Sequence, residues 1–126
     1  MKLILAIAAG GALGAVGRHY VSASVMRLGG AGFPWGTLTV NVLGSFLMGV
    51  LIELMAQRLN VGLEMRAFLT VGFLGAFTTF STFSLDFATL FERGAGMAAL
   101  GYAALSVVLA ITALFAGLAV MRFLLS

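Results

Sequence analysis

Leu43 to Ile52 and Leu100 to Leu125 are nearly continuous runs of apolar residues, and a chain that carries such runs has few ways to fold. Strands of a membrane barrel would alternate polar and apolar residues over about ten positions, and these runs do not alternate. A helix rises about 1.5 Å per residue, so about 20 mostly apolar residues cross roughly 30 Å of hydrocarbon. With 126 residues, 9% charged side chains and a mean hydropathy of +1.16, the chain lies far outside the range of soluble domains. The predicted fold is an all-α membrane protein of four transmembrane helices in a single domain, residues 1–126, with spans at about 3–26, 37–55, 65–91 and 97–124.

The charged and special residues mark the connections. Lys2 followed by Leu3 to Ala9 resembles a short signal peptide, and Ala6-Ile7-Ala8 imitates a cleavage site. Because the apolar pattern continues to Val16, this segment is read as retained and as the start of the first span. Gly10, Gly14 and Ala15 suit close helix packing there, since backbones approach where side chains are small. Gly29 to Gly32 with Pro34 form a turn, Phe33 and Trp35 read as interfacial aromatics, and Glu92-Arg93-Gly94 marks the last turn. Four spans put both termini on one side, with Lys2, Arg58, Arg66 and Arg122 there against Arg27, Arg93 and Arg18 on the other. Four against three is almost no positive-inside signal, which permits insertion in both orientations and, with it, an antiparallel homodimer. Seven Lys and Arg, spread singly, form no basic patch for nucleic acid, and with no cysteine and the lone His19 there is no zinc site.

Gly72 to Phe83 interrupts the third span with two glycines, four hydroxyls and four phenylalanines. Glycine supplies conformational freedom, and Thr78, Thr79, Ser81 and Thr82 supply groups that can bond a freed backbone at membrane depth. A helix break near Gly75 to Thr79 is therefore predicted. Phe73, Phe77, Phe80, Phe83 and Phe87 fall on one helical stripe. Packing explains such a stripe, and so does ring electrostatics: a ring edge is positive, so inward edges can line a path for an anion.

Other polar groups in the spans have a similar choice of reading. Asn41 either bonds a neighbouring helix or offers its two amide donors to an anion. Arg18 is either functional within the span or snorkels to the interface. Asp86 either pairs with an arginine or faces a water-filled vestibule. No paired carboxylates, phosphate loop or nucleophile with a base are present, so no enzyme is predicted. Neutral donors favour anion conduction, with a pore that needs a second subunit; a small dual-topology multidrug-type exporter, using Asp86 as its titratable carboxylate, or a structural membrane subunit are the alternatives.

Three motifs sharpen this reading. Phe33-Pro34-Trp35-Gly36-Thr37-Leu38-Thr39-Val40-Asn41, Gly72 through Ser84, and Gly14-Ala15-Val16-Gly17-Arg18 resemble the Fluc (CrcB) family of bacterial fluoride channels. The resemblance covers essentially the whole chain. It implies a dual-topology antiparallel homodimer in the bacterial inner membrane, with two pores giving passive export of cytoplasmic fluoride. It further implies that Phe80 and Phe83 present ring edges to fluoride and that Asn41 is the pore asparagine. Tyr102, Ser106, Thr79 and Ser81 would supply pore hydroxyls, and Arg18 the vestibule arginine. Gly75 and Thr78 carbonyls of both subunits would hold a central structural Na⁺. Ala110 stands where relatives can carry a further hydroxyl, with Thr112 close by. Asp86 stands at a position where the family carries a carboxylate.

Overall fold

The apolar runs form helices that satisfy every interior peptide group within the segment, as a bilayer demands. In the computed structural model, which describes residues 1–126, four helical segments are long and apolar enough to cross a membrane. The first span is α1 (Lys2–Gly29) and the second is α2 (Trp35–Gln57). The third begins with α3 (Leu63–Ala67), continues through a π-helical stretch (Phe68–Leu74) and a last turn (Gly75–Phe77), and resumes as α4 (Phe80–Glu92). The fourth is α5 (Gly96–Leu125). Each predicted span lies inside an observed one, extended by a few residues at its ends.

Turn chemistry sets those ends. Gly30 takes a φ of 81°, a region that favours glycine, and its N–H donates to Met26 O at 3.0 Å, closing α1. Pro34, which has no N–H to leave unpaired, precedes α2. The Phe33 and Trp35 rings meet at 4.5 Å between centroids over this turn. Gly94, at φ 87°, turns the chain from α4 to α5.

Packing without a hydrophobic driving force requires close backbone approach, and two glycine seams provide it. A Cβ on Gly49 of α2 would overlap the Leu114 carbonyl of α5, and a Cβ on Gly117 of α5 would overlap the Phe46 carbonyl of α2. The seam is reciprocal. On the other side, Gly10 and Gly14 of α1 rest on the backbone of Phe68 and Phe73, and Gly72 rests on Ile7. These contacts bear out the expectation for Gly10 and Gly14 and pin the π-helical stretch against α1.

The break in the third span lies within the predicted interval but after its glycine. Gly75 is helical at φ −61°, ψ −38°, whereas Thr78 (φ −91°, ψ 158°) and Thr79 (φ −152°, ψ 126°) are extended. The two extended residues turn α4 relative to what precedes it, so the expected single phenylalanine stripe is not continuous. Phe73 stacks on Phe77 at 6.2 Å, Phe80 meets Phe83 at 5.4 Å and Phe87 stacks on Phe91 at 6.4 Å. Phe77 is buried and Phe80 is 77% exposed. Beyond the break, Leu38, Leu90, Ala99 and Tyr102 form a small core with Phe33, Phe83 and Phe87 against it.

At the end of the bundle that holds both termini, Arg122 Nε donates to Glu53 Oε1 at 2.8 Å, and Gln57 Nε2 donates to the same oxygen at 2.8 Å. The Arg122 side chain is 63% exposed and that of Glu53 12%; solvent screens the arginine, and Gln57 still donates to the Glu53 carboxylate when Arg122 is lost. Arg122→Ala is expected to leave the thermal midpoint of the detergent-solubilised protein essentially unchanged, and a large drop in a melting scan would contradict this.

Candidate functional site

A helix that stops at Phe77 and restarts at Phe80 leaves backbone groups to be satisfied, and the second helix supplies most of the remedy. In an unbroken helix Thr79 N–H would donate to Gly75 O; here it donates to Asn41 Oδ1 at 2.7 Å. Asn41 Nδ2 returns a hydrogen bond to Thr79 O at 3.0 Å. The side-chain amide thus pairs with Thr79 as another peptide would. The contact is close because α2 carries Gly44 beside the break, where a Cβ would overlap the Thr78 methyl.

The two half-helices are capped separately. Thr79 Oγ1 accepts from Thr82 N–H at 3.2 Å, an N-cap for α4. Ala76 O, whose helical partner would have been Phe80 N–H, accepts from Arg18 Nε at 3.0 Å. Arg18 is therefore turned inward, away from the interface, and caps the first half-helix with a cation where the helix dipole favours one. Diverting Thr79 N–H and Thr82 N–H also releases the carbonyls of Gly75 and Thr78 from their helical donors. Carbonyl oxygens at a half-helix end are hard donors suited to a small cation such as Na⁺, so the residues fit that ion.

An open cleft of about 310 Å³ runs beside the break, lined by Asn41, Ser45, Thr78, Thr79, Phe80, Phe83 and Ser106, with Val107, Ala110 and Ile111. It brings together five of the sequence-predicted pore residues: Asn41, Thr79, Phe80, Phe83 and Ser106. Ser106 is buried and its hydroxyl has no protein partner. No titratable side chain lines the cleft. Ala110 also lines it, and the exposed Thr112 does not.

The other candidates lie elsewhere. Tyr102 is fully buried, packs on Phe83 at 5.1 Å and Phe33 at 5.5 Å, and donates its hydroxyl proton to Asp86 Oδ2 at 3.0 Å. Tyr102 thus lies against Phe83 and does not line the cleft. Of the two readings of Asp86, the arginine pair is not made: its partner is the neutral Tyr102 hydroxyl. Its flank opens on a cavity of about 140 Å³ that Arg93 also lines. Ser81 is exposed, 3.4 Å from Thr79 Oγ1, and outside the cleft. Arg18 lines a separate cavity of about 360 Å³, which has Thr79 as a lining residue in common with the cleft.

Sequence reasoning missed two features of this site. The π-helical stretch has no composition of its own to announce it. The Arg18 to Ala76 bond joins residues far apart in sequence, though a charged residue inside a span was a signal that a partner existed.

Known proteins share this sequence over nearly its full length. The model of the family described as CrcB-like protein, Camphor Resistance (CrcB), matches residues 5–118. The fluoride-specific ion channel FluC of Agrobacterium fabrum is 58% identical over 94% of this chain and 95% of its own. That of Rhodospirillum centenum is 56% identical over 97% of both chains, and that of Rhizobium etli 55% identical over 94% of both. On a family match spanning the first helix to the last, and on relatives this similar, the chain belongs to the CrcB family.

Proposed function

We propose that the protein conducts fluoride passively through the bacterial inner membrane, working as an antiparallel homodimer with two pores. The observation that carries this reading is the cleft itself: an unpartnered Ser106 hydroxyl, the Asn41 amide and the rings of Phe80 and Phe83 around one passage at membrane depth. The names of the relatives supply the choice of fluoride over another anion.

A small hydrated anion must exchange water for fixed donors, as filters do for other ions. Asn41 commits one amide N–H to Thr79 O and retains the other for the passage. The Ser106 hydroxyl is a second donor, and the ring edges of Phe80 and Phe83 are positive without binding an anion tightly enough to hold it. A passage with no titratable lining residue has nothing to couple flux to protons, which favours conduction over exchange and over enzymatic chemistry. The multidrug-type exporter fits less well, since Asp86 is bonded to Tyr102 and stands off the cleft.

Two subunits complete the passage. The cleft is open along one side and Phe80 is largely exposed beside it, so a second subunit closes it. The near balance of charge across the two ends supports opposite orientations of the pair. In such a dimer the released Gly75 and Thr78 carbonyls of both subunits would hold the Na⁺ at the axis. There it joins the two broken helices and takes no part in conduction.

Efflux from liposomes holding the purified protein tests the proposal. Fluoride is expected to leave rapidly and chloride to remain. Phe80→Ile and Phe83→Ile are each expected to slow fluoride about fivefold, since a ring interaction of roughly 1 kcal/mol corresponds to that factor. A wild-type protein that passes no fluoride would end the channel reading, and two variants at wild-type rate would end the ring-edge account.

A further inference from the structure

The hydroxyls that line the pore cleft, those of Ser45, Thr78, Thr79 and Ser106, are not equivalent. Thr78 folds back on its own helix and donates to Leu74 O at 3.0 Å. Thr79 Oγ1 is occupied by the Thr82 N–H at 3.2 Å as the cap of α4. Ser106 has no partner, and Ser45 is in the same condition. Serine and threonine within a helix commonly bond the carbonyl four residues back, as Thr70, Ser84 and Thr89 do at 2.8, 3.0 and 2.9 Å. The half-buried Ser45 makes no such bond to Asn41 O and turns its hydroxyl to the cleft.

Ser45 stands near the middle of α2, where a polar group without a partner is costly in lipid. It follows Asn41 by one turn, so the two share a face and lie about 6 Å apart along the axis. Close packing fixes its position from both sides: Gly44 lies against the Thr78 methyl, and Gly49 against the Leu114 carbonyl of α5. As second and fourth spans, α2 and α5 cross the bundle in the same direction. Ser45 comes one turn before Gly49 and Ala110 one turn before Leu114, so they stand at one level of the cleft that both line. Beyond Ser106 the α5 wall is Val107, Ala110 and Ile111, and none of these side chains can donate a hydrogen bond.

We propose that Ser45 is a further anion-donating residue of the pore, extending the line of donors from Asn41 toward the end of the bundle that holds both termini. The inference rests on the channel reading above. An anion that moves past Asn41 in that direction has only apolar side chains on the α5 wall, and it can shed water only where fixed groups replace it. The Ser45 hydroxyl is such a group, one turn further on. Being neutral, it offers a proton without a charge that would hold the ion in place. The second helix then supplies two successive donors, an amide and a hydroxyl, where the fourth supplies Ser106 alone.

Fluoride efflux from liposomes tests this, with each variant first shown to elute as a monodisperse peak. Ser45→Ala removes the oxygen and leaves a better helix former, so slower flux would not come from a weakened span. It is expected to lower efflux about fivefold, the factor that one net hydrogen bond represents. Ser45→Cys keeps a side chain of similar size with a weaker donor and is expected to fall in the same direction, which keeps the test open if alanine is poorly recovered. Adding Ala110→Ser to Ser45→Ala returns a hydroxyl to the same level from the other wall and is expected to restore most of the lost flux, a rescue that a packing role for Ser45 would not give. Wild-type efflux in Ser45→Ala or Ser45→Cys, or slow efflux that Ala110→Ser leaves unchanged, overturns the proposal while leaving the channel intact; absence of fluoride flux in the wild type strikes the channel reading itself.

Discussion

Asn41→Ala is expected to lower fluoride efflux about a hundredfold while the four spans remain in the membrane. The amide gives Thr79 both of its backbone hydrogen bonds, at 2.7 and 3.0 Å. Alanine would leave a donor and an acceptor unpaired, at about 1–3 kcal/mol each, and each 1.4 kcal/mol is tenfold in a population. The chain can escape that cost by rewinding, returning Thr79 N–H to Gly75 O and carrying Phe80 and Phe83 off the cleft. Asn41→Asp separates the two roles of the side chain. It keeps an acceptor for Thr79 N–H, so the break persists, but it removes the donor and sets a negative charge against the passing anion. Efflux is expected to be low in both variants, with slower amide exchange at Phe80 in alanine, where rewinding returns its N–H to Ala76 O, than in aspartate, where the break persists. An alanine variant conducting at the wild-type rate would show that the brace is dispensable.

Gly117→Val is expected to abolish recovery of folded protein. The residue faces the Phe46 carbonyl across the seam between α2 and α5, with Gly49 answering it from the other side. Overpacking a core costs about 1–3 kcal/mol where side chains can shift; here the obstacle is backbone, and two long helices would have to separate. Gly101 lies on the same helix, and a Cβ added there would meet nothing within 4 Å, so Gly101→Val is the matched control and is expected to elute as wild type. Equal yields of a monodisperse peak from both variants would remove the seam from the account of stability.

The sequence carried the architecture in features that act locally. Span ends followed from Gly30, Pro34 and Gly94, and the break followed from hydroxyls crowded behind two glycines, a pattern a continuous helix has no use for. Asn41 was legible because an amide inside a span must have a partner. What stayed hidden depends on which neighbours the fold supplies. Glycine at 75 looked like the weak point, yet Thr78 and Thr79 open because Asn41 reaches Thr79 from another helix. Tyr102 reads as a pore hydroxyl in the sequence, whereas the fold sets its ring in the aromatic core with its proton given to Asp86. Arg18 posed a question of depth alone, and its answer was a carbonyl 58 positions away.

The π-helical stretch has a consequence for chain length. Its wide turns, such as that closed by Gly75 N–H on Thr70 O, enclose one residue more than an α-helical turn would. Phe68 to Leu74 therefore holds slack that the other spans lack. Deleting a single residue there lets the stretch tighten to α-helix and still deliver Gly75 and everything after it in phase. The same deletion in α2 or α5 would rotate the remainder of the helix by about 100°, the angle per residue at 3.6 to the turn. Among the four spans, the third is the one whose length can drift without moving the residues that matter.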